Sequence, residues 1–145
     1  MANDLEPLYA LIKQFEGLYL LPYYCPAGIL TVGYGTTGRG VYPGVKWTKE
    51  QCEARMISDV QKFVLGTLKL CPVLSQYDNR LCAISDFAYN CGLGNLQAST
   101  LRKRINAEDW PGARVELMRW TKGGGRELPG LVKRRMAECS LTDKT

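Results

Sequence analysis

Five glycines at positions 33, 35, 38, 40 and 44 exclude a helix from that stretch, because each costs about 1 kcal/mol against alanine in a helix interior. The segment must be short, irregular sheet or loop, and any helices must lie on either side of it. Just before it, residues 18–24 and 29–35 are rich in Tyr, Leu, Ile, Thr and Val. Pro26-Ala27-Gly28 between them supplies turn chemistry, so the pair reads as a β-hairpin.

Helical spacing appears on both flanks. Leu5, Leu8, Tyr9, Ile12 and Phe15 recur at helical intervals behind an Asn/Asp cap, with Pro7 in the first turn and Gly17 as the stop. Thr48-Lys49-Glu50-Gln51 has capping-box form, and Cys52, Met56, Val60, Phe63 and Val64 follow as a helix of about five turns. Further helices are expected at 76–90, at 100–106, at 110–120 behind Asp109 and at 130–139, the last two separated by Gly123-Gly124-Gly125. One short β region followed by helices makes the class α+β. The expected layout is one domain over 1–145: a β-rich lobe at about 16–47, a connecting helix at about 49–66, and a helical lobe at about 70–145 that includes the N-terminal helix 4–15.

The chain contains no histidine. That excludes Ser-His-Asp and Cys-His hydrolases and the usual His-ligated zinc enzymes, leaving carboxylates, thiols, hydroxyls and lysines to do any chemistry. The six cysteines form no CxxC pair, and residues 1–25 carry Asp4, Glu6, Lys13 and Glu16 rather than a secretion signal or membrane anchor. The thiols are therefore expected to be made and kept reduced in a cytoplasm. The net charge of +5 sits in the last third: residues 101–145 carry 11 Lys and Arg against 6 Asp and Glu, whereas residues 1–100 carry 8 of each. Such a surface suits a polyanion, whether nucleic acid, anionic membrane or acidic cell wall.

Glu16 falls where the first helix ends, and the negative end of the helix dipole disfavours a charged carboxylate there, as a general acid requires. Position alone also fits a solvated glutamate. Eight residues separate Glu16 from Cys25 and five separate Cys25 from Thr31, and the hairpin brings the last two onto adjacent strands. Here the sequence resembles the phage-type lysozymes, glycoside hydrolase family twenty-four, whose catalytic pattern is Glu, eight residues, Asp or Cys, five residues, Thr. Thr31-Val32-Gly33-Tyr34-Gly35, Phe87-Ala88-Tyr89-Asn90-Cys91-Gly92, Ser99-Thr100-Leu101-Arg102 and the stretch from Trp120 to Arg135 are similar to the family's successive motifs.

The resemblance implies a lysozyme-like fold. It also implies an endolysin that cuts the β-1,4 bond between N-acetylmuramic acid and N-acetylglucosamine in bacterial peptidoglycan. Glu16 would protonate the leaving oxygen, Thr31 would orient the attacking water, and the outcome would be inversion. The implied protein is a monomer without metal or organic cofactor. It would be made in the host bacterial cytoplasm and let through to the periplasm and cell wall by a separate hole-forming holin, with no nucleic-acid partner.

Cys25 stands where a carboxylate is common, and four roles remain open: thiolate base for the water, nucleophile forming a thioglycoside, polar group placing the water, or small buried packing residue. Thr36 stands where family members commonly carry histidine, so that side chain's hydrogen bond must pass to a hydroxyl or be lost. Arg126, Arg134 and Arg135 read best as a solvated basic face. Two rival readings are a wall-binding module that has lost catalysis, and a nucleic-acid binder using Arg102, Lys103 and Arg104, for which no recognised motif speaks.

Overall fold

The structure is a computed structural model and describes residues 2–144. Helix α1 (Glu6–Glu16) leads into β1 (Tyr19–Tyr24), β2 (Leu30–Gly33) and β3 (Thr36–Thr37), then α2 (Lys49–Leu70). A 3-10 turn (Pro72–Gln76) precedes α3 (Asp78–Cys91), α4 (Leu93–Ala98), α5 (Thr100–Asn106) and α6 (Trp110–Leu117). A short hairpin of β4 (Lys122–Gly123) and β5 (Arg126–Glu127) precedes α7 (Pro129–Thr142). The α+β class follows as expected.

Several boundaries differ from the sequence reading. The first helix begins at Glu6 with Leu5 at its N-cap, and Asp4 acts one position earlier by accepting the Glu6 N–H at 3.0 Å. The connecting helix runs to Leu70 rather than about 66, because Val64, Thr67 and the half-buried Leu68 and Leu70 keep its apolar face against the helical lobe. At 1.5 Å per residue its 22 residues span about 33 Å. Its capping box is complete: Thr48 Oγ1 accepts the Gln51 N–H and Gln51 Oε1 accepts the Thr48 N–H. The triple glycine does break the chain between α6 and α7, as the tip of β4–β5, and α4 is a further element that the sequence reading left out.

The three-stranded sheet is antiparallel in the order β1-β2-β3, with Tyr23 opposite Thr31 and Thr31 opposite Thr37. The register of β1 slips between Tyr19 and Tyr23, where Pro22 can offer no N–H to the ladder. The sheet is tied to the helices at its far end, where Trp47 donates its N–H to Leu20 O at 2.9 Å. Arg55 of α2 adds a clamp, donating to Arg39 O at 2.6 Å and Thr37 O at 3.2 Å while its Nε faces both oxygens of Asp59 at 3.2 Å. Thr36 is buried and its hydroxyl has no partner among the described residues. The histidine's hydrogen bond is therefore lost at this position, and the Arg55 clamp holds the adjacent backbone.

In the helical lobe α3 is the centre. Every residue from Leu81 to Ala88 is buried, so the helix is enclosed on all sides rather than amphipathic. It packs against α1, α2, α4 and α7. Asp86 lies within that buried run, and Arg134, Arg135 and Glu138 of α7 are buried opposite it. The reading of Arg134 and Arg135 as a solvated face is thus overturned, because both guanidiniums turn inward to meet buried carboxyl groups. Arg126 alone of the three is exposed. All six cysteines are free. No helix among the described residues is long and apolar enough to cross a membrane.

Candidate active site

Gly17 terminates α1 with φ at 71° and donates its N–H to Lys13 O, so the backbone turns away immediately after Glu16. Glu16 is left at the helix end with its carboxyl reaching a cleft of about 390 Å³ between the sheet and the helices. Cys25 and Thr31 line the same cleft from the hairpin, so all three residues singled out in the sequence come together there. Asp59 of α2 and Tyr89 and Asn90 of α3 complete the opposite wall.

The charge nearest Glu16 is not the helix end. Arg134 Nη1 donates to Glu16 Oε2 at 2.5 Å. The same guanidinium donates Nε and Nη2 to the two oxygens of Asp86 at 2.9 and 2.8 Å. Burial opposes the charge on Arg134, but the Asp86 carboxylate outweighs it and raises the guanidinium's proton affinity. Glu16 also meets backbone. A Cβ placed on Gly35, whose φ is +79°, would lie 2.6 Å from Glu16 Oε1. A side chain at Gly35 would therefore occupy the acid's own space.

Cys25 lies one residue beyond β1, in the turn, and is partly exposed rather than buried. The packing-only role is therefore the least suited to it. The Ile29 N–H, acting against burial and joined by the Ala27 N–H, holds the Cys25 thiol below the usual range. Burial instead pushes Cys71 up to about 11 and Cys82 up to about 12. Thr31 is buried, and its hydroxyl donates to Ile29 O at 2.9 Å. Its single proton is thereby drawn to the turn, while its oxygen lone pairs remain free to accept. Tyr89 donates its phenol to Tyr34 O at 2.6 Å, and burial raises its proton affinity, so it stays neutral.

Sequence reasoning missed Arg134, Asp86, Asp59 and Tyr89 as parts of this site. For Asp86 a signal was present: a lone acid inside the apolar run Leu81 to Ala88 must find a buried partner. For Asp59 there was none, since an acid four residues after Arg55 is ordinary on a solvated helix face.

A small sheet beside a helical lobe, with an acid at the mouth of the cleft between them, defines a lysozyme-like fold. The Phage lysozyme family matches residues 13–138, and the chain belongs to that family. It is 41% identical over 138 residues to the endolysin of Acyrthosiphon pisum secondary endosymbiont phage 1, covering 90% of this chain and 91% of that one. It is 42% identical over 136 residues to the endolysin of Bacillus phage B103, where it spans 90% of its own length but half of the relative's. Among solved structures, the endolysin from Escherichia coli O157:H7 phage FAHEc1 superposes with a TM-score of 0.86 at 34% identity, over 99% of this chain and 94% of the other.

The close approach of Gly35 makes a direct prediction. Gly35→Ala should lower kcat on peptidoglycan by roughly 10²-fold, a scale set by small misplacements of a catalytic group. Circular dichroism should show the variant folded; a folded variant with wild-type kcat would mean that the Glu16 carboxyl can move without consequence.

Proposed function

We propose that this chain is one catalytic domain that hydrolyses the β-1,4 bond between N-acetylmuramic acid and N-acetylglucosamine in bacterial peptidoglycan, as the endolysin that lyses a phage's host. The observation that carries the reading is the meeting of Glu16, Cys25 and Thr31 in one cleft of a phage-lysozyme-family chain. Glu16 is the general acid that protonates the glycosidic oxygen as the bond breaks. Water attacks the opposite face of the sugar, so the configuration inverts. Within glycoside hydrolase family twenty-four this chain is the variant with Cys25 in the place of an aspartate.

Thr31 supports the water's placement: with its proton drawn to the turn, Oγ1 accepts a hydrogen from the water. Cys25 removes that water's proton as a thiolate. Its depressed thiol pKa and partial exposure favour this base over a covalent nucleophile, because an inverting site must leave room for water beside it. The protein works as a monomer and without cofactor. A separate holin opens the way from the host cytoplasm to the wall, and the basic last third of the chain suits an acidic wall better than a specific nucleic-acid site.

Replacing Glu16 by Gln removes the proton and keeps the shape. Clearing of permeabilised cells should fall by roughly 10²–10⁴. Activity within a few-fold of wild type would show that another group is the acid.

Proton NMR of early product should show the reducing end first as the α-anomer. An initial β-anomer, or a glycosyl adduct on Cys25 in the mass spectrum, would instead establish a double displacement through sulfur.

The Cys25 thiolate sets the acidic limb of the pH profile. Because its pKa is lowered, activity should rise with pH through a value below that of a free thiol and be lost beneath it. Cys25→Asp should keep activity and carry that limb further toward acid, while Cys25→Ala and Cys25→Ser should lose most activity. If the Ala and Ser enzymes keep the wild-type rate and limb, the thiol is not the base.

A further inference from the structure

Three carboxyl groups and two guanidiniums meet behind the cleft: Glu16, Asp86 and Glu138 with Arg134 and Arg135. Asp86, Arg135 and Glu138 are fully buried and Arg134 is 4% exposed, so only Glu16 communicates with the cleft. Such burial is costly unless every group is paired, and helix α3 offers no local reason for an acid at position 86. The pairing supplies one.

A guanidinium is a planar fork whose N–H groups point in fixed directions. Asp86 takes Nε and Nη2 as a bidentate pair, which fixes the plane of Arg134 and leaves Nη1 aimed at Glu16 Oε2. The charge matters as much as the aim. An unbalanced guanidinium 2.5 Å from Glu16 would favour its carboxylate, the wrong form for a proton donor. The Asp86 carboxylate, at 2.8 Å on the other side of the same cation, cancels that field.

Glu138 completes the arrangement without adding a second negative charge. Burial, together with the neighbouring Asp86 carboxylate, pushes Glu138 well above the ordinary glutamate range and favours its neutral form. Burial pulls Asp86 the same way, but the bonds from Glu138 and Arg134 outweigh it and keep Asp86 ionised. Arg135 donates to Asn90 Oδ1, Cys91 Sγ and, through Nη2 at 2.9 Å, to Glu138 Oε2, while its Nε lies 2.8 Å from Glu138 Oε1 at an angle poor for a hydrogen bond. The titratable groups facing Glu16 are therefore Arg134 from α7, Tyr89 from α3, Tyr23 from β1, and Asp59 and Cys25 across the cleft. Both phenols are neutral at the pH of interest.

We propose that Asp86 is a positioning residue for the acid: it aims Arg134 at Glu16 and offsets the guanidinium's charge, so that Glu16 enters the reaction carrying its proton. The proposal rests on the reading of Glu16 as the general acid. Glycan hydrolysis by wild type, Asp86→Asn and Glu16→Gln is to be followed against pH, with circular dichroism as the check of folding. In folded Asp86→Asn, KM should stay close to wild type while kcat at neutral pH drops about 10-fold, and the basic limb should move roughly 1–2 pH units toward acid. A fall in kcat with the limb unmoved would make Asp86 merely structural and overturn the proposal. Should the variant fail to fold, carbon-13 NMR of wild type decides: Asp86 must remain a carboxylate throughout the range in which Glu16 titrates, and a protonated Asp86 there overturns the proposal. An active Glu16→Gln enzyme would overturn the acid assignment and this proposal together, whereas an inactive one beside an unmoved limb overturns the proposal alone.

Discussion

The Arg134 guanidinium joins three helices that are far apart in sequence. It reaches 48 residues back to Asp86 in α3 and 118 residues back to Glu16 at the end of α1. Removing one partner from such a buried pair typically costs 3–5 kcal/mol, because the charge left behind has no water to turn to. The position of the acid therefore depends on a contact made only when α1, α3 and α7 have all docked. Folding of the helical lobe and preparation of the cleft are one event.

The hairpin side of the cleft is held by different forces. Its strands are short, and β3 has only two residues, so the sheet cannot stand alone. Arg55 supplies the missing support, fixing the carbonyls of Thr37 and Arg39 from the solid platform of α2. Thr37 lies opposite Thr31 and lines the cleft with it. The clamp thus bears on the wall that carries the Thr31 hydroxyl. Asp59, ion-paired to Arg55, carries the same support across the cleft floor.

The parts legible in the sequence were those set by local rules. Turn chemistry at Pro26-Ala27-Gly28 between two segments rich in β-formers placed the hairpin, the capping box placed the start of α2, and Gly17 placed the end of α1. The spacing of Glu16, Cys25 and Thr31 was readable because a hairpin converts sequence distance into proximity by a fixed geometry. The buried charges were not readable in this way. Arg134, Arg135 and Glu138 sit in α7 among Lys133 and Met136 with no clear apolar face, and charge in such a pattern ordinarily means solvent. Only the mate in α3, itself masked by its apolar neighbours, turns them inward. The same pairing across long sequence separation hid Arg55, whose partners are backbone carbonyls that carry no residue identity at all.

In the reaction proposed above, a chain without histidine draws its proton donor and its proton acceptor from groups that ordinarily titrate far from each other. The two halves of this cleft do so by unrelated means. On the helical side, the carboxyl of Glu16 meets one full charge, Arg134 of α7, which is itself paired with Asp86 of α3 in a dry interior. On the hairpin side, the thiol of Cys25 answers to N–H dipoles of its own turn, which persist wherever the turn keeps its shape. Changes in helix packing should therefore act on the acid, and changes in turn geometry on the thiol, with little crossing over. The two-lobed architecture is what permits this separation, since Glu16 reaches the cleft from the helical side and Cys25 from the hairpin.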